Sequence, residues 1–175
     1  PYDYWNLWVN GNCDNEVRGI ECLSSMVEDY DIIVFKHCYT AARIEADAQD
    51  PDVASDRKSI ENYKLQYRAL LTALDAFPDT KFIVFTLAPR HRLRTDAAQA
   101  QRAKSFVDWV RDEWRQEDGQ KHDNIFVFDF WSHIAENDPD PELGVVNTIR
   151  YIYETDHSSD NSHPNELANE TVAPI

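Results

Sequence analysis

The sequence predicts an α/β domain built on a parallel sheet, and three observations support that fold class. Apolar runs of strand length occur at Ile32–Phe35, 81–89 and 124–131. Amphipathic segments of helical period separate them, and this alternation is typical of βαβ units with right-handed crossovers. The chain has 175 residues, of which 42% are hydrophobic, so we expect a single domain over 1–175 with its own core.

The N-terminal part is predicted to lead into the first strand. Residues 1–15 are aromatic without a clear period and are interpreted as a loop. Residues 16–30 (EVRGIECLSSMVEDY) predict a short amphipathic helix. The run Ile32–Phe35 is apolar at every position, as expected for a strand that is covered on both faces.

Two long helices are predicted between the strands. Residues 59–77 carry apolar side chains every three or four positions, and Ser59 suits the N-cap of this helix. The segment 95–114 shows the same period, and Thr95 is the expected N-cap there.

The charge of the chain excludes several classes of partner. With 17 Lys and Arg against 32 Asp and Glu, the formal net charge is −15. Phosphates of a nucleic acid and anionic membrane surfaces would be repelled, and no run approaches the ~18 apolar residues of a membrane span. We therefore expect neither nucleic acid nor a membrane as a partner. Oligomeric state and compartment stay open, a secreted or periplasmic location included.

The cysteines and histidines do not form a pattern that is typical of a metal site. Cys13, Cys22 and Cys38 contain no CxxC pair, and no two histidines have HxxxH spacing. We expect no metal. The sequence leaves open a Cys13–Cys22 bridge, although plain thiols are the favoured interpretation.

Loops at the carboxyl ends of the three strands are expected to form the functional edge of the sheet. They contain Lys36–Tyr39, Ala88–His91 and Asp129–Ser132. The basic cluster of Arg90, His91, Arg92 and Arg94 stands beside them. It predicts either an anion-binding site or a solvated loop that balances nearby acids.

The segment Thr155–Glu170, TDHSSDNSHPNELANE, has the most pointed chemistry. It begins within a Pro- and Asp-rich loop at 136–160, and Pro164 suits the first position of a last helix. Asp160 and His163 are three residues apart, a spacing that places two side chains on one side of a helical turn. A carboxylate there can orient an imidazole for acid–base catalysis.

DNSHPNELAN resembles the last conserved block of the SGNH (GDSL-type) hydrolases, in which Asp-x-x-His precedes a C-terminal helix. DIIVFKHCYTAARI, KFIVFTLAP and NIFVFDFW are similar to strands and loops of a bacterial branch of that superfamily, in which a Lys-x-Cys stretch follows a strand. The resemblance covers roughly residues 28–175. It implies a flavodoxin-like, three-layer α/β/α fold.

The resemblance also implies a serine-dependent hydrolase of esters that needs no cofactor. Asp160 and His163 would be the acid–base pair, and the substrate would be a small-molecule or carbohydrate ester. The family's serine follows its first strand, and no such segment occurs here. We therefore expect the first strand and its serine upstream of Pro1, a chain incomplete at that end and possibly at the other, and little activity from these 175 residues alone.

The oxyanion-binding block of the family, Gly-x-Asn-Asp, would fall at FKHCY, which has neither Gly nor Asn. Lys36, His37 or a backbone N–H would have to stabilise the oxyanion instead. Two alternatives stay open. One is a Cys38–His163–Asp160 hydrolase, and the other is a catalytically inactive binding module on the same scaffold.

Overall fold

The computed structural model describes residues 1–13 and 19–175. The N-terminal helix α1 (Tyr2–Tyr4) continues into a π-helical turn, Trp5–Val9. The α-helices are α1 (Tyr2–Tyr4), α2 (Leu23–Asp29), α3 (Ile60–Asp75), α4 (Ala97–Asp112), α5 (Phe130–Ile134) and α6 (Glu166–Val172). Short 3₁₀ turns lie at Tyr39–Ala42, Arg92–Arg94, Trp114–Gln116 and Tyr151–Tyr153. In the part of the chain described, no helix is long and apolar enough to cross a membrane.

The central sheet confirms the α/β class. Its strands are β1 (Ile32–Phe35), β2 (Lys81–Phe85) and β3 (Ile125–Phe128), all parallel and in that order. The helix α3 connects β1 to β2, and α4 connects β2 to β3. A separate antiparallel pair, β4 (Ala135–Glu136) and β5 (Thr148–Ile149), organises the region after α5.

One face of the sheet carries the core. Alternate strand residues such as Ile33, Phe82 and Ile125 are buried against the apolar sides of α3 and α4. Tyr67 of α3 and Trp114 of the 3₁₀ turn after α4 join the core, and the Trp114 indole N–H donates to the Tyr67 carbonyl at 2.9 Å. An indole that finds a carbonyl can be buried without an unsatisfied donor.

The opposite face of the sheet is exposed, which contradicts the prediction of a strand covered on both sides. Val34, Ile83 and Phe126 are register partners across the three strands, so they point to the same side. Val34 is 56% exposed and Phe126 47%, and Ile32 on the same side is 60% exposed. Parallel sheets are normally covered on both faces. We call these four residues the exposed face.

The N-terminal segment is helical, so its interpretation as a loop was wrong. Trp8 and Tyr4 pack against Phe35 with ring centroids 4.9 and 5.0 Å apart, and this contact holds the helix against β1. The aromatic residues had no clear period because a π-helical turn shifts the register of the helix. Cys13 and Cys22 form a disulfide, which corrects the preference for free thiols.

The other predicted helices are confirmed with small shifts. Ser59 caps α3 by accepting from Asn62 N–H, as predicted, whereas Asp96 and not Thr95 caps α4. Of the helix predicted over 16–30, the structure has Leu23–Asp29, and residues 16–18 lie outside the described residues.

Candidate functional site

A pocket opens at the carboxyl end of β1, where the chain leaves the sheet. It has a volume of about 440 Å³, and its lining includes Pro1, Tyr4, Lys36, His37, Cys38 and Tyr63. We call it the rim pocket. The start of α1 and the loop after β1 therefore face the same space, and this loop holds all three residues predicted for substrate or oxyanion binding.

His37 forms the inner wall of the rim pocket. It is 7% exposed, and its ring lies against Tyr4 and Tyr67 with centroids 4.9 and 5.7 Å away. Its Nε2 is buried and has no hydrogen-bond partner in the described chain. Burial lowers the pKa of His37 well below its usual value, so the ring is neutral near pH 7. A neutral imidazole can offer one N–H to a bound oxygen.

Lys36 and Cys38, on either side of His37, point toward water. The Lys36 carbonyl accepts a hydrogen bond from the Tyr4 hydroxyl at 3.1 Å, which ties the loop to α1. Cys38 is a free, exposed thiol. The alternation of exposed and buried side chains continues that of β1, because the backbone stays extended up to the 3₁₀ turn at Tyr39–Ala42.

His163 reaches this end of the sheet through Tyr39. The two rings are 5.0 Å apart in an edge arrangement. His163 is exposed, and its Nδ1 lies 2.8 Å from Asn161 Oδ1. The oxygen also accepts from the His163 backbone N–H at 3.1 Å, so it serves as an acceptor in both contacts. The Nδ1 proton is thereby fixed, and Nε2 is left as the basic nitrogen.

Asp160 does not make the expected contact with His163. Its Oδ2 lies 2.7 Å from Arg94 Nε, in a pair whose two side chains are about half exposed. The prediction assumed that a helical turn begins at Pro164, but α6 begins at Glu166 and Asn165 is its N-cap. Residues 160–163 are therefore not helical, and an i, i+3 pair there does not share a side.

The carboxylate–histidine pair expected at Asp160–His163 is present instead at Glu154 and His157, also three residues apart. The His157 Nδ1–H donates to Glu154 Oε2 at 2.8 Å, and the ring stacks on Tyr151 with centroids 3.8 Å apart. The Glu154 side chain is fully buried, whereas His157 is 46% exposed. Sequence reasoning missed Glu154, although the spacing of E-T-D-H was a readable signal.

Glu154 belongs to a buried ion cluster centred on Arg92. The guanidinium donates to Glu154, lies 2.5 Å from Glu142 Oε2 and 3.4 Å from Asp140 Oδ1, and is itself 1% exposed. Burial would raise the pKa of Asp140, but three backbone N–H groups and Arg92 hold it below its usual value. The Arg92 cluster, meaning Arg92, Asp140, Glu142 and Glu154, ties the long 136–160 loop to the turn after β2.

His91 joins this buried region and also anchors the segment that carries His163. Its Nδ1 accepts from Leu93 N–H at 3.1 Å, and its Nε2–H donates to Glu154 at 3.1 Å. Burial, opposed by Glu154, lowers the pKa of His91. The His91 backbone N–H donates to the Ser162 hydroxyl at 3.0 Å, which fixes the residue next to His163.

The predicted basic cluster is thus divided between the interior and the surface. Arg92 and His91 are buried and paired with acids, so the interpretation as a solvated loop is wrong for these two. Arg90 and Arg94 remain at the surface, where Arg43 joins them around a separate cavity.

The third loop of the predicted edge has a structural role. Asp129 Oδ1 accepts from Ser132 N–H at 3.2 Å and caps α5, while Asp129 also accepts from the Ser132 hydroxyl. Ser132 is therefore engaged as part of a helix cap.

The site thus combines the rim pocket, which holds the buried neutral imidazole of His37 and the exposed thiol of Cys38, with the exposed imidazole of His163 beyond Tyr39, whose Nδ1 is held by the Asn161 amide. This set can move a proton and stabilise an oxyanion, and acyl transfer needs both. Comparison with protein-family models, with curated proteins and with solved structures found no match for this chain.

Proposed function

We propose that this chain is the larger part of a serine-dependent ester hydrolase of the SGNH type. His163 is the general base, and the nucleophilic serine lies upstream of Pro1. The observation that carries the proposal is the Tyr39–His163 contact, which joins the His-Pro segment before α6 to the loop that leaves β1. The substrate class is an acyl ester of a small molecule or a carbohydrate.

The sheet supports a strand upstream of Pro1. β1 is the terminal strand on its side, so its outer edge has no strand partner in the described chain. A further parallel strand on that edge, followed by α1, would end at the rim pocket, which Pro1 lines. The helix or helices that accompany such a strand would cover the exposed face. The complete protein would then have the flavodoxin-like, three-layer architecture that the resemblance implies.

The proposed chemistry gives each of the named groups a role. The serine hydroxyl gives its proton to His163 Nε2 as its oxygen attacks the ester carbonyl, and the alcohol leaves with that proton. The acyl-enzyme is then hydrolysed by water, which His163 activates in the same way. The His37 N–H and backbone N–H groups of 36–38 stabilise the oxyanion. Asn161 orients His163, while Asp160 is engaged by Arg94.

The test uses the protein with its natural upstream residues included. We expect this longer protein to hydrolyse a nitrophenyl ester and to be labelled by a fluorophosphonate on an upstream serine, and the 175-residue chain to do neither. His163→Ala should lower kcat by roughly 10²–10⁴-fold, the usual contribution of a general base. His157→Phe, which keeps the stacking on Tyr151, is the matched control and should keep its activity.

Two results would reject the proposal. One is a longer protein in which no serine is labelled, which would favour a catalytically inactive binding module. The other is a loss of turnover in His157→Phe as large as in His163→Ala, which would move the general base to the Glu154–His157 pair.

A thiol hydrolase is a second candidate, because Cys38 is a free thiol that lines the rim pocket and precedes Tyr39. Here Cys38 would attack, His163 would take the proton, and Asn161 would orient His163, as an asparagine does in other Cys–His sites. Turnover by the 175-residue chain that Cys38→Ala abolishes would favour this candidate. If iodoacetamide labels Cys38 no faster than it labels the thiol of the free amino acid cysteine, this candidate is opposed.

A further inference from the structure

Three arginines line a second surface cavity, and one of them, Arg43, directly follows the 3₁₀ turn Tyr39–Ala42. Arg43, Arg90 and Arg94 line a space of about 400 Å³ together with Leu93, Thr95, Asp96 and Gln99. We call this space the arginine pocket. In a chain with formal net charge −15, three guanidinium groups around one cavity stand out from the acidic background.

Two of the three guanidinium groups have no acidic partner. Arg94 pairs with Asp160, but neither Arg43 nor Arg90 has a carboxylate within 4.0 Å in the described chain. Among the described residues, the Arg90 guanidinium donates only to the neutral Gln99 Oε1, at 3.2 Å, and its Nε is buried without a hydrogen-bond partner there. Burial and the repulsion from Arg43 and Arg94 lower the pKa of Arg90, as expected where cations crowd together.

The electrostatic surroundings leave the arginine pocket positive. In the part of the chain that the structure describes, Asp96, which caps α4 through Gln99 N–H, lines the pocket, and Asp160 pairs with Arg94. Three cations and two anions leave one positive charge. The N-terminus of the 16-residue helix α4 adds the positive end of its dipole. A buried N–H without an acceptor is unfavourable, so an oxygen that reached Arg90 Nε would satisfy this donor.

We propose that the arginine pocket binds an oxyanion group of a ligand, held by Arg43 and Arg90. Guanidinium groups recognise carboxylate, sulfate and phosphate oxygens through paired N–H donors. Arg43 ends the turn that begins at Tyr39, and Tyr39 contacts His163, so one short turn connects the arginine pocket with His163. The binding is independent of hydrolysis and can be measured on a protein without activity.

The test is calorimetric titration of the 175-residue chain with sodium phosphate, sodium sulfate and sodium acetate, at constant ionic strength set with chloride. We expect saturable binding of at least one of these anions, weakened about tenfold or more in Arg90→Gln and in Arg43→Gln. Arg68→Gln is the matched control, because Arg68 is an exposed arginine of α3 that pairs with Glu117, away from the arginine pocket.

The outcomes are distinct. Phosphate or sulfate alone would identify a tetrahedral oxyanion, and acetate alone a carboxylate. No saturable binding of any of the three, or equal binding by all four proteins, would overturn the proposal. Arg43 is exposed, so Arg43→Gln tests the pocket even if Arg90→Gln unfolds. Binding to the 175-residue chain without any esterase activity in the longer protein would support the pocket and reject the hydrolase.

Discussion

Two histidines in one loop, His157 and His163, are held in opposite ways. His157 donates a hydrogen bond to a fully buried carboxylate, that of Glu154, which belongs to the Arg92 cluster. His163 is exposed and is held by an uncharged amide, Asn161, at the edge of the sheet. A buried carboxylate would stabilise a charged imidazole, but here its charge is already shared with Arg92 and His91. The Asn161 amide orients the His163 imidazole without placing a negative charge beside it.

The difference suggests a division of labour within residues 154–163. The first part ties the loop to the interior, and the second presents an exposed imidazole beside Tyr39. A fully buried carboxylate that pairs with both a histidine and an arginine is costly to disturb, so Glu154 suits a structural anchor better than a proton carrier. We therefore regard the Arg92 cluster as the support that positions His163.

The largest expected effect separates the two parts by stability. Arg92→Met leaves Glu154 and Asp140 buried without their cation, and we expect a loss of about 3–5 kcal/mol in the free energy of unfolding. Arg94→Met removes an exposed partner of Asp160 and should cost less than about 1 kcal/mol. Urea denaturation of both variants measures the contrast. Equal losses would mean that the Arg92 cluster does not anchor the loop.

A smaller effect concerns pH. Burial lowers the pKa of His91 from 6.5. Just below pH 6.5, His91 therefore binds a proton in the unfolded chain but stays neutral in the native protein. The contribution of the neutral, buried His91 to the free energy of unfolding is fully present above pH 6.5 and is lost as the pH falls. A glutamine at position 91 can still accept from Leu93 N–H and donate to Glu154. His91→Gln should therefore make the free energy of unfolding less dependent on pH, by up to about 1.4 kcal/mol per pH unit.

The pH prediction is measured by urea denaturation of wild type and His91→Gln between about pH 5 and 7. A steeper loss of stability toward acid in the wild type is the expected result. Identical slopes in the two proteins would show that His91 is not the residue whose protonation weakens the buried region.

The smallest expected effect concerns the exposed part. Asp160→Asn should change the activation free energy of the longer protein and the free energy of unfolding by less than about 1 kcal/mol each, because an exposed ion pair contributes little. A triad carboxylate that held His163 would instead cost about 10⁴-fold in kcat. Kinetics on a nitrophenyl ester distinguish the two, and a loss of that size would restore Asp160 as the partner of His163.

The sequence predicted the elements of the fold well where periodicity was strong. The strands and the helices α3 and α4 follow from apolar patterns, and Ser59 was a readable cap. The exposed face could not be predicted, since a run of four apolar residues looks the same whether its second face is covered or open. The π-helical turn was missed because it breaks the helical period.

The candidate site was predictable in place but not in contacts. His163 contacts Tyr39, which directly follows the loop of Lys36, His37 and Cys38. The partners did not follow from spacing, because the i, i+3 rule holds only in a helix, and α6 begins after His163. The interior position of Arg92 depends on Glu154, 62 residues away, and local sequence carries no sign of it.

The exposed face has a consequence for the behaviour of these 175 residues in solution. Apolar strand surface favours association between copies, whereas a formal net charge of −15 on each copy opposes it through long-range repulsion. Salt screens the repulsion within a Debye length of about 10 Å at 0.1 M but leaves apolar contacts intact. Colloidal stability should therefore decline as ionic strength rises, and dilute buffer should keep the chain dispersed.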